Sequence, residues 1–142
     1  MSMNARQSLG FPREAESQFA FLVNECGYAL TFRSDTGVRY ESTKVWIDVF
    51  HGAYDYEVGI NFGRRAKEES FSFLLFCRLM KVQSVTSIEL ISDDKMRVKE
   101  LLSILSKALA KEGAKIVSGD DATFEKMKSV RWWHFRPEAL GN

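Results

Sequence analysis

Residues alternate between an apolar and a more polar side with a period of two from 28 to 63, and helical spacing follows. From Lys44 to Gly63, "KVWIDVFHGAYDYEVGINFG" puts Val45, Ile47, Val49, Tyr56, Val58 and Ile60 on one side of two strands. Trp46, Asp48, Phe50, Glu57, Gly59 and Asn61 fall on the other. Upstream, "YALTFR" (28–33) alternates with Tyr28, Leu30 and Phe32 on one side, and "SDTG" (34–37) supplies turn chemistry. "VRYES" (38–42) returns with Val38 and Tyr40 inward. The four segments hold one phase, which predicts a four-stranded antiparallel meander in chain order.

Helical spacing flanks the strands. Residues 1–12 read as loose, with Pro12 near a helix start. In "REAESQFAFLVNECG", Phe19, Leu22, Val23 and Cys26 recur at i, i+3, i+4 and i+7, and Gly27 closes the helix. Residues 61–70 read as a polar connection. "FSFLLFCRLM" (71–80) is apolar nearly all round; it fits a buried strand or a buried helix, and we read it as helix. A short strand at 87–91 is an option within residues 81–92. The longest helix spans 94–112, with Val98, Leu101, Leu102, Leu105, Ala108 and Leu109 in one stripe. Ser92 or Asp93 caps its start and Gly113 ends it. "AKIV" reads as a brief extended piece, and Asp120 or Asp121 caps a last helix over 122–133. The fold class is therefore α+β: one domain over 1–142, a four-stranded antiparallel meander packed against helices.

Composition narrows the function. Twenty Lys and Arg face nineteen Asp and Glu, a net charge of +1, so bulk charge selects no polyanionic partner. The longest apolar run, "FLLFC" at 73–77, is far too short to span a bilayer, and the first eighteen residues hold no apolar stretch of the secretory kind. Cys26 and Cys77 form no CxxC pair and read as buried thiols. A cytoplasmic protein is expected.

Motifs of common chemistry are missing from the sequence. His51 and His134 belong to no HExxH or Cys/His cluster, and no GxGxxG, GxxxxGK[ST] or GxSxG occurs. No enzyme activity, metal or cofactor is expected. Asp48 and Glu57 are the acid pair that strand geometry brings together: directly opposite across a two-residue turn at Gly52–Ala53, or diagonal across a four-residue loop. Two carboxylates there would serve acid–base chemistry, lie solvated, or be neutralised by Arg33 or Arg39. Trp46 and Phe50 share their face, either as anchors of a binding patch or as a second core layer under a helix. A small-ligand or enzyme pocket between sheet and helices would draw on Arg33, Arg39, Glu41 and Asp48. The tail "KMKSVRWWHFR" interleaves bases and aromatics, the pattern of a stacking surface for nucleic acid. The small net charge favours instead an amphipathic terminal helix with Phe124, Met127 and a tryptophan inward.

Two stretches carry a resemblance: "LLSILSKALAKEGAKIVSGDDATFEKMKS" (101–129) and "GVRYESTKVWIDVFHGAYDYEVGINFG" (37–63). With the element order, they resemble a loose set of small bacterial proteins that includes immunity proteins of toxin systems. The resemblance rests on hydrophobic pattern and the "GD" before the last helix, and transfers no catalytic residue. It implies a protein that binds and neutralises a cognate toxin. Trp46, Asp48, Phe50 and Glu57 would then form the partner-binding face, the aromatics anchoring and the acids meeting a basic site.

Overall fold

The computed structural model describes residues 3–134, and side chains over residues 5–130. A five-stranded antiparallel sheet runs in chain order: β1 (Ala29–Ser34), β2 (Gly37–Glu41), β3 (Val45–His51), β4 (Val58–Arg64) and β5 (Phe71–Ser72). The helices are α1 (Met3–Leu9), α2 (Phe11–Gln18), α3 (Ala20–Glu25), α4 (Phe73–Leu79), α5 (Gln83–Thr86), α6 (Lys95–Glu112), α7 (Ala114–Ser118) and α8 (Asp121–His134). The fold is α+β, as the alternation predicts, with one short strand more than the four expected. That strand is the extended lead-in to α4, where the Ser72 hydroxyl caps the Leu75 N–H.

The inner face of the sheet is apolar. Val38, Tyr40, Val45, Ile47, Val49, Val58, Ile60 and Phe62 are all buried there. They form one cluster with Phe11 and Ala15 of α2, the stripe Val98, Leu101, Leu102, Leu105 and Leu109 of α6, and Phe124 of α8. Phe124 meets Phe62 edge-on at 5.8 Å.

Departures from the sequence reading have local causes. Leu30 pairs with Tyr40 but Phe32 pairs with Arg39, so Thr31 is an extra residue in β1. This bulge turns Phe32 to the opposite face from Leu30, and the shared side expected for the two is lost. Of the residues expected to be loose, 3–12 are not: they hold α1, and Pro12 sits in the first turn of α2, where a missing N–H costs nothing; residues 1 and 2 lie outside the described residues. The helix expected over 13–27 breaks at Phe19 (φ −104°, ψ 18°). Phe19 and Leu22 stay buried, whereas Val23 and Cys26 are exposed. Only Cys77 is the buried thiol expected, and both cysteines are free. "AKIV" is helix α7, not an extended piece, ended by Gly119 in the left-handed conformation. Asp94, rather than Ser92 or Asp93, caps α6. Asp120 caps α8 as expected. In place of a strand over 87–91, Ile91 makes a single bridge to Glu57. The tryptophan and bases expected from 131 onward lie outside the described side chains.

Candidate functional site

The outer face of the sheet is built by alternation. Arg39 and Glu41 on β2, Trp46, Asp48 and Phe50 on β3, and Gly59, Asn61 and Gly63 on β4 project to the side away from the core. The helices meet the inner face, as in the contacts of Phe124 with Phe62 and of Arg6 with His51. Among the described residues, no covering helix turns Trp46 and Phe50 into a second core layer. Both rings are half-buried because each lies flat over a glycine on β4, its partner in register. A Cβ on Gly59 would stand 2.6 Å from Phe50 Cζ, and one on Gly63 would stand 2.8 Å from Trp46 Nε1. The glycines thus let the aromatics lie along the sheet.

Between the two rings, Arg39 and Asp48 face each other in register and form a bidentate pair, Nε to Oδ1 at 2.6 Å and Nη2 to Oδ2 at 2.9 Å. The guanidinium also stacks over the Trp46 ring, 4.6 Å from its centroid. The hydrogen bonds to Asp48 raise the pKa of Arg39 further above its already high value. Glu41 lies 4.0 Å from both Arg39 and Arg65. At the margin of this surface, Phe32 is 61% exposed. A shallow hollow of about 440 Å³ runs from it to Phe50, with Gly37, Arg39 and Asp48 among its walls.

The expected Asp48–Glu57 pair is not formed. Asn61 opposes Asp48, and Glu57 is the last residue of a six-residue loop, 52–57, longer than either turn expected. Tyr56 adopts a positive φ of 57° in that loop, and the Asp55 carboxylate accepts the Glu57 N–H at 3.0 Å. Glu57 therefore sits just before the start of β4, bridged to Ile91. Burial, then the charge of Asp55, raises its pKa. Trp46, Asp48 and Phe50 come together; Glu57 does not join them, and Arg39 takes its place. Nor do Arg33, Arg39, Glu41 and Asp48 line a pocket between sheet and helices. Three of them lie on the outer face, and Arg33 reaches Glu16 of α2 at 2.6 Å.

Two buried polar clusters escaped the sequence reading. His51 is completely buried at the inner end of β3. Its Nδ1 accepts from the Arg6 guanidinium of α1, its Nε2–H donates to the Ser92 carbonyl at 2.7 Å, and its ring stacks on Phe11. Burial lowers its pKa; the Ser92 carbonyl opposes that shift and the Arg6 charge adds to it. The alternation Val45, Ile47, Val49, His51 is the signal that could have placed this residue inside. Arg64, at the inner end of β4, is buried beside Glu69 in a bidentate pair, Nε to Oε2 at 2.8 Å and Nη2 to Oε1 at 2.9 Å. It also donates to Asp121 at 3.2 Å and Glu125 at 2.5 Å on α8, and lies over the Phe124 ring. Both clusters tie helices to the sheet.

Among the described residues, no group of three or more His, Cys, Asp or Glu side chains is placed to hold a metal ion. No described helix is long and apolar enough to cross a membrane. The fold and this surface define an α+β domain with helices on one face of its sheet and an aromatic, charge-paired surface on the other. Comparison with protein-family models, with characterised proteins and with solved structures finds no match to the chain. The resemblance to immunity proteins thus gains no support from these comparisons.

Proposed function

We propose that this protein is a non-enzymatic binding protein whose outer sheet face engages another protein, a cognate toxin that it neutralises. The observation that carries the binding surface is the arrangement of Trp46 and Phe50. Both rings are held flat on glycines, flanking an Arg39–Asp48 pair whose two charges are matched. Rigid aromatics beside an oriented guanidinium are the groups that dominate binding energy at protein interfaces, because little side-chain entropy is lost when they are covered. The resemblance of 37–63 and 101–129 to immunity proteins supplies the partner class. Asp48 is neutralised by Arg39, so the partner is selected by shape and hydrogen bonding at this pair, not by a bare acidic surface.

The test is to co-express the protein with the product of its gene neighbour and to measure binding and growth rescue. Trp46→Ala and Phe50→Ala are each expected to weaken binding by about 2 kcal/mol, roughly thirtyfold, with thermal melts showing an intact fold. Full rescue by both variants removes the site. A neighbour that neither harms growth nor binds removes the toxin reading. Turnover of any substrate that is lost in Asp48→Asn with the fold retained contradicts the non-enzymatic assignment.

A further inference from the structure

The sheet has two edges, and they are built differently. β5 is two residues long, leads directly into α4 and has α8 against it. β1 is six residues long and has β2 on one side and, among the described residues, no strand on the other. Ala29 to Arg33 are all exposed. The bulge at Thr31 sends Leu30 to one face and Phe32 to the other, so apolar groups stand on both sides of the free edge. Val23, on the α3 helix that packs beside β1, adds a third exposed apolar side chain. No lysine or proline guards the strand.

We propose that β1 pairs with β1 of a second copy of this chain, making a two-fold dimer with a continuous ten-stranded sheet (twice the five strands of one copy). The choice of a second copy follows from closure and charge. Sheet addition between copies can use only the β1 edge, so the contact is edge to like edge, antiparallel and closed, with no growth into a filament. An isologous contact sets each group near its own kind, which an apolar strip tolerates and a patch of single charge does not. The charges at this edge are already matched: Arg33 pairs with Glu16 of its own chain at 2.6 Å. Pairing centred on Phe32 sets Arg33 opposite Thr31 of the second copy rather than opposite another arginine. The hollow between Phe32 and Phe50 then lies at the seam, and the outer faces of both copies join into one surface. This inference stands on the edge alone and does not depend on the toxin reading.

Sedimentation equilibrium of the full chain over a wide concentration range tests it. A strand-edge contact lies near the low end of specific interfaces, about 1,200 Å² in total, so dissociation in the micromolar range is expected. Phe32→Lys and Leu30→Lys, both on exposed positions, are expected to give monomers at every concentration with unchanged melts, while Trp46→Ala dimerises like the wild type. Hydrogen exchange at β1 amides is expected to slow as the wild-type concentration rises. A wild type that stays monomeric throughout overturns the proposal. So does a dimer that survives both lysine variants, or one whose concentration-dependent protection lies outside β1.

Discussion

Arg64 offers the sharpest test of how the last helix is held. In Arg64→Met an apolar stem is retained, while the guanidinium and its place over the Phe124 ring are lost. Three carboxylates then lose the guanidinium that they share: Glu69, Asp121 and Glu125. Glu69 bears most of the cost, because its side chain is only 5% exposed. Removing one partner of a buried ion pair costs about 3–5 kcal/mol, since the other charge is left desolvated. The lower end applies here. The Arg64 backbone N–H still donates to Glu69 Oε2 at 3.0 Å, and Asp121 and Glu125 are free to turn toward water. About 3 kcal/mol corresponds to roughly 10 °C in Tm for a domain of this size. Glu69→Gln keeps an acceptor for Arg64 and leaves it two carboxylates, so a smaller loss of about 1–2 kcal/mol is expected. Arg64→Met combined with Glu69→Leu removes both charges and is expected to recover most of the stability of the single variant. Urea unfolding with a common slope across the variants measures all three. If Arg64→Met costs less than about 1 kcal/mol, the cluster behaves as a surface pair and the reasoning fails.

Acid is expected to destabilise the fold through His51. Its folded-state pKa is depressed below the ordinary value of about 6.5, so its stabilisation is complete above that pH and is lost as pH falls through the folded value. Melts between about pH 7.5 and 5 should fall for the wild type and stay flatter for His51→Gln; parallel curves refute the assignment. The two glycines under the aromatics should differ in their tolerance of alanine. At Gly63 a Cβ meets the Glu69 backbone carbonyl at 2.5 Å, so Gly63→Ala should cost about 1–3 kcal/mol. At Gly59 the close atoms are all in the Phe50 ring, which can swing aside, so Gly59→Ala should stay within about 1 kcal/mol of wild type. Equal losses in thermal melts would contradict the difference drawn between them.

What was legible in the sequence is what periodicity reports. The alternation through β2, β3 and β4 sets which side of the sheet is core, and the stripe of α6 sets the helix face against it. Bulges and breaks are invisible to a fixed period. One extra residue at Thr31 moved Phe32 across the sheet, and the turn at Phe19 released Val23 and Cys26 from the core. Which residues share the outer face was legible in part for the same reason. Trp46, Asp48 and Phe50 lie within one strand, where the period holds, whereas Glu57 depended on the length of a loop. Apart from Glu69, five residues from Arg64, the partners named for the buried His51 and Arg64 were beyond reach of any local pattern. Arg6 is 45 residues from His51, and Glu125 is 61 residues from Arg64.

The order of strands in the sheet bears on how the chain reaches this structure. Every strand pairs with its sequence neighbour, so each hairpin can close over a short loop at small entropic cost. The sheet can therefore assemble stepwise during synthesis. The apolar side it presents stays wet, however, until α6 arrives from residues 95–112 to pack against α2 at residues 11–18. That closure spans most of the chain, and its large loop entropy predicts a late step of folding. Until it is complete, a partly made sheet with Val49, Ile47 and Ile60 uncovered is the species most prone to aggregate. Faster translation past β4 shortens the life of that species, and truncation before α6 prolongs it.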